Sequence, residues 1–155
     1  MSNMTTIRAT HPTNATALRY WETKRGGRAM PARADLDPCE IPELLPHVVL
    51  IDVAHDPVDF RYRLIGTNVD HHLWEPRTGQ WLSQVPGQGR DSAFWQALAD
   101  VAASGLPASG RIAYVGPHRD YDSAEDLIMP LSSDGDRVDM LFVTIAYEKK
   151  GSWAC

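Results

Sequence analysis

The hydrophobic pattern of this chain changes period several times, and each change marks an element. After a polar start over residues 1–13, Ala17, Leu18 and Trp21 fall on one face at helical spacing. Asn14 is placed to cap that helix, and Gly26-Gly27 to stop it after a basic last turn. Pro31, Pro38, Pro42 and Pro46 then exclude a long helix or a central strand, so residues 28–46 read as an ordered connector whose Ile41, Leu44 and Leu45 need burial. Residues 48–53 are β-branched and nearly all apolar, which predicts a strand covered on both faces. Phe60, Tyr62 and Leu64 alternate with Arg61 and Arg63, the mark of a half-exposed partner strand over 60–66. The short loop between the two strands makes an antiparallel hairpin.

A brief helix is expected within 67–74, ahead of Pro76, and Thr78-Gly79 marks a turn. Asp91 is a plausible cap for a helix over 91–104 that gathers Phe94, Leu98 and Val101 on one face, with Gly105 and Pro107 ending it. The remainder reads as three strands over 110–116, 126–131 and 137–147, the last two joined by Ser132-Ser133-Asp134-Gly135-Asp136. In the last strand Val138, Met140, Phe142, Thr144 and Ala146 share one face while Leu141, Val143 and Ile145 share the other, so it belongs in the middle of a sheet. This order predicts an α+β domain with an antiparallel sheet and helices gathered mainly on one face. One domain is expected over 14–147, with tails over 1–13 and 148–155.

Composition narrows the function classes. A chain of 155 residues with 43% hydrophobic content supports one core. The net charge of -5 opposes general attraction to a phosphate backbone, and the local cluster Lys24, Arg25, Arg28 and Arg33 is interleaved with Glu22, Asp35 and Asp37. Nucleic acid is therefore not an expected partner. Cys39 and Cys155 form neither a CxxC pair nor a metal-ligand spacing. Residues 1–10 lack the apolar core of a signal peptide, and no stretch approaches the roughly 18 apolar residues of a membrane span, which makes the cytoplasm the expected compartment.

The wording of the sequence carries a resemblance. Tyr20-Trp21, the run from Arg25-Gly26-Gly27-Arg28-Ala29-Met30-Pro31 to Ala34-Asp35-Leu36-Asp37-Pro38, Leu44-Leu45-Pro46, Leu50-Ile51-Asp52, Phe60-Arg61-Tyr62-Arg63-Leu64-Ile65-Gly66-Thr67 and Thr78-Gly79 together resemble the small stand-alone PAS-domain family of alphaproteobacteria. The resemblance spans residues 20–147. It implies a PAS-like five-stranded antiparallel sheet with helices over one face and an N-terminal amphipathic helix, enclosing an apolar cavity. It also implies signalling through dimer contacts or docking. Where the family pattern has a glycine, an acidic residue and an aliphatic one before the Thr-Gly pair, this chain has Glu75-Pro76-Arg77.

On that implied cavity, Tyr62, Leu64, Trp74, Phe94 and Trp95 are candidate lining residues, as are Leu98, Tyr114, Met129, Met140 and Phe142. At their spacing ordinary core packing is the competing account. Leu18 and Trp21 are candidate dimer contacts. His71 and His72 are adjacent, diverge by about 100 degrees on a helix, and do not easily grip one ion; they read as solvated or capping residues. No flavin signature is present, and the helix over 91–104 contains no His to ligate haem, so the cofactor is unknown, with a small apolar metabolite possible. His118, Asp120 and Asp122 share a face of an extended segment and could offer ligands to a divalent ion, but Gly116-Pro117 points to a solvated loop. Gly87-Gln88-Gly89 lacks the context of a phosphate cradle. Neither cysteine has a nearby His and no GxSxG elbow occurs, so no catalytic residue is singled out. The expectation is a sensory or regulatory module that binds a small ligand or a protein partner and signals in trans, with homodimerisation expected. A small enzyme or carrier for an apolar metabolite and a ligand-free interaction scaffold are the alternatives.

Overall fold

The computed structural model describes residues 9–114 and 116–150. Among them the elements run α1 (Pro12–Arg25), β1 (Val48–Ala54), β2 (Asp59–Ile65), α2 (Thr67–His71), α3 (Ala93–Ser104), β3 (Ala108–Ala113), β4 (Tyr121–Leu131) and β5 (Met140–Lys149). The strands form one antiparallel five-stranded sheet in the order β2-β1-β5-β4-β3. The last strand lies at its centre beside β1, where a strand apolar on both faces has to be.

Register sorts the side chains into two faces. Val48 pairs with Thr144, Leu50 with Phe142, Leu127 with Thr144 and Met129 with Phe142, so these share one face, called here the outer face. Val49, Ile51, Leu141, Val143 and Ile128 project from the other, the inner face. Helix α1 lies on the outer face, where Asn14 bonds to Glu125 and Thr144 and the Trp21 indole donates to the carbonyl of Pro130 over 2.9 Å. Helix α3 roofs the inner face, its Trp95 meeting Phe60 edge-on with ring centres 4.9 Å apart. Buried Leu36, Ile41 and Leu44 bring the proline-rich connector into the same core. The segment after α2 runs along the free side of β2, where Gly79 N–H donates to Tyr62 O and Tyr62 N–H to Gln80 O.

Several boundaries differ from the sequence expectation. The cap of α1 is His11, whose Nδ1 accepts from Thr13 N–H, and Asn14 is instead a buried residue of the helix. Side-chain capping of α3 comes from Ser92 and not from Asp91, while Gly105 closes it in the left-handed conformation at φ 70. Strand β4 begins five residues before 126 because Ser123, Ala124 and Glu125 find partners on both β3 and β5 and Tyr121 one on β5. Strand β3 ends at Ala113, and residue 115 of the expected strand lies outside the described residues. The fold extends past the expected domain limits, with Thr10 and His11 bonded to Glu125 at one end and β5 reaching Lys149 at the other. Of the expected tails, residues 1–8 and 151–155, with Cys155, lie outside the described residues. Cys39 is exposed and free.

Candidate functional site

Buried polar groups mark two places, one on each face of the sheet. On the outer face Asn14 sits on the stripe of α1 that carries Ala17, Leu18 and Trp21, and is fully buried. Its Nδ2 donates to the carbonyl and to Oε1 of Glu125, both over 2.9 Å, and its Oδ1 accepts from Thr144 Oγ1 over 2.7 Å. The Glu125 carboxylate also accepts from the N–H groups of Thr10 and His11 and from the Thr10 hydroxyl, with Arg111 3.9 Å away. Burial pushes the Glu125 carboxyl up, but the hydrogen bonds from Thr10, Asn14 and His11 outweigh it and hold the group below its ordinary value. A carboxylate so placed also faces the positive end of the α1 dipole.

On the inner face the polar groups are Asp126 on β4 and a cluster at the end of β5. Asp126 is 6% exposed, and burial pushes its carboxyl up to about 6, with the Gly110 backbone N–H opposing the rise. The cluster is built on His72, just after α2. The residue is 4% exposed, and its ring stacks on Tyr147 with centres 3.9 Å apart, while Tyr121 stands edge-on at 4.5 Å. The β3–β4 connection folds over the pair: Tyr114 Oη lies 2.7 Å from His72 Nδ1 and accepts from His118 N–H over 3.2 Å. His118 Nε2 donates to the carbonyl of His71 over 3.0 Å, and the His71 and His118 rings stack at 4.2 Å. Gly116 is required here, because a Cβ would stand 2.6 Å from the carbonyl of His72. Burial pushes His72 down to about 4, the charges of His118 and His71 add to that, and Asp120 opposes it. Burial likewise raises the hydroxyls of Tyr147 and Tyr114.

The ten candidate pocket residues do not converge on one cavity. Met129, Met140 and Phe142 belong to the outer face, and Leu64 pairs with Leu50 on that same face, 43% exposed. Tyr62, Trp95 and Leu98 are buried on the inner side, Tyr62 donating to Gln88 Oε1 over 2.6 Å. Phe94 is half-buried on α3, Tyr114 belongs to the aromatic cluster, and Trp74 is 72% exposed. Strand alternation sends neighbouring side chains to opposite faces, and the sheet separates those faces by its own thickness. Two concavities are open clefts elsewhere, one lined by Arg28, Met30, Ala32, Ser132 and Asp134, the other by Gly87, Gly89, Arg90 and Ser92.

Other candidates also move. Trp21 is buried against its own sheet, which removes it as a dimer contact, and Leu18 is half-buried on the same core. His72 is the C-cap of α2, its N–H donating to the carbonyl of Val69 over 2.9 Å, but it is buried and not solvated; Tyr147, 75 residues later, supplies the stacking partner that local sequence does not reveal. Among the described residues no three His, Cys, Asp or Glu side chains are arranged to hold a metal ion, and Asp122 of the His118-Asp120-Asp122 set points to solvent as an exposed residue. No helix among the described residues is long and apolar enough to cross a membrane. The sequence reading took Asn14 for a helix cap and passed over Glu125, although each carries a signal of its buried role: a polar residue on a stripe otherwise apolar, and a carboxylate alternating with Leu127, Met129 and Leu131.

No curated protein matches the chain. The family description that matches is that of the PAS domain, over residues 9–145, from the turn before α1 to within β5. A five-stranded antiparallel sheet with helices packed on it, matched over nearly its whole length, places this chain in the PAS-domain family.

Proposed function

We infer that the chain is a sensory or regulatory module that binds a ligand or a protein partner and signals in trans, without catalysis of its own. The observation that carries this reading is the burial of ionisable Asp126 and His72 on the inner face, between the central strands and the elements that roof them. A core selected only for stability fills such positions with apolar side chains, since burying a carboxyl or an imidazole costs free energy. Groups of this kind make the packing of helix on sheet respond to a proton, a ligand or a partner, which is what a two-state module needs. Homodimerisation remains part of the reading, through surfaces other than Trp21.

The test is native mass spectrometry of the purified full chain, with hydrogen exchange of α2 and α3 followed as any retained molecule or second copy is removed. Exchange that changes with occupancy supports the module. Turnover of a metabolite by the pure chain, abolished by Asp126→Asn, would replace it with the enzyme or carrier reading. A ligand-free scaffold is favoured by one specific observation, the complete burial of Phe60, Leu98, Leu127, Met129, Leu141 and Phe142. A chain that retains nothing, yet forms a stable complex without any change in exchange, would decide for that scaffold.

A further inference from the structure

We propose that His72 is the proton-sensitive element of a latch: in its neutral form it holds α2 and the β3–β4 connection against the end of β5, and its protonation releases both. The inference stands on the geometry of the cluster and is independent of what the module signals to.

Tyr114 Oη accepts the N–H of His118 over 3.2 Å and lies 2.7 Å from His72 Nδ1, so its hydroxyl joins the β3–β4 connection to the ring. Protonation makes both ring nitrogens donors and places a charge among aromatic rings, which costs free energy where no close carboxylate pairs with it. His72 is enclosed by Tyr147 from β5, Tyr121 from β4, Tyr114 and His118 from the β3–β4 connection and His71 from its own segment. Two of these neighbours are themselves histidines. Of the charged groups nearby, Asp120 attracts an imidazolium but is exposed, and Lys149 lies over Tyr121, 5.8 Å from its ring centre, where it adds positive charge.

The sign follows from linkage. The folded value of His72 is depressed to about 4, so the contribution of the closed latch is full above the unfolded value of 6.5 and is lost as pH falls from there toward 4. Between pH 7 and pH 5 the opening equilibrium rises about twenty-fold.

The experiment is hydrogen exchange of the full chain from pH 7 to pH 5, corrected for intrinsic exchange rates and read over 67–74 and 116–122, with 141–146 of β5 as the reference. Opening of both segments should rise about twenty-fold while the reference does not. His72→Phe keeps a ring on Tyr147 and cannot be protonated, so its response should be flat. Segments insensitive to pH, or an undiminished response in His72→Phe, would overturn the latch. Should His72→Phe not fold, the imidazole resonances of the wild-type chain decide the matter. Titration of His72 well below its ordinary value, together with loss of its contacts to Tyr147, supports the latch; titration at the ordinary value with those contacts intact refutes it.

Discussion

The hydroxyl of Thr144, in the middle of the central strand, donates to Oδ1 of Asn14 on α1 over 2.7 Å, joining residues 130 positions apart. It lies within an otherwise apolar contact between helix and sheet, beside Ala17, Leu127 and Phe142. A polar contact in such a place fixes the helix in one register, since sliding by a turn would leave Asn14, Glu125 and Thr144 buried without partners.

Asn14→Ala should therefore cost far more than its size suggests. Three hydrogen bonds are lost, and Thr144 and part of Glu125 are stranded, for a destabilisation of about 2–4 kcal/mol. Urea denaturation monitored by Trp fluorescence measures it. A change below about 0.5 kcal/mol would mean that α1 is not held by this network.

Trp21 divides two roles that the sequence leaves together. Trp21→Phe removes the indole bond to Pro130 and keeps most of the ring, so a loss of about 1 kcal/mol in stability is expected, with sedimentation velocity unchanged. Trp21→Ala should cost about 3–5 kcal/mol through the cavity it leaves. A folded Trp21→Phe chain that changed its association state would contradict the burial of this side chain within its own fold.

Asp126 gives a pH dependence of defined sign. Its carboxyl binds a proton more tightly folded than unfolded, so its contribution to stability is full below 3.8 and is lost as pH rises through about 6. At pH 7.5 the buried charge costs up to about 3 kcal/mol, and Asp126→Asn should recover about 1–3 kcal/mol there while changing little at pH 4. Guanidinium titrations at the two pH values read the difference; equal effects at both would show that the carboxyl is not perturbed.

Gly66 sits where the chain leaves β2 and passes under the turn before β1. A Cβ there would stand 2.6 Å from the carbonyl carbon of Pro46, and also against the carbonyl oxygen of Leu45, while the Gly66 N–H donates to Val48 O over 2.7 Å. Backbone cannot yield as a side-chain tip can, so Gly66→Ala should lose about 3 kcal/mol, whereas Gly89→Ala, with open space at its Cβ position, should be nearly silent. Thermal unfolding of the pair makes the comparison.

Much of the fold was legible in local pattern. The two apolar faces of β5 announced a central strand, the alternation in β2 a strand beside it, and Gly105 the end of α3. The candidate site was far less legible. The resemblance put Tyr62 and Phe142 in one implied pocket, and local sequence made His72 a solvated or capping residue, because nothing nearby in the chain shows Tyr147 or the path of the β3–β4 connection.

The physical reason is a difference in range. Helical and strand periods, proline exclusions and glycine stops act over a few residues, so the order of elements and the apolar nature of each face belong to the amino-acid sequence itself. Which element covers a face is decided by packing across the whole chain: α1 takes the outer face through Asn14, Glu125 and Thr144, and α3 takes the inner one through Trp95 and Phe60. Burial of His72 and Asp126 is likewise a property of the assembled fold, since the dielectric around an ionisable group is set by neighbours that folding, and not sequence proximity, brings against it.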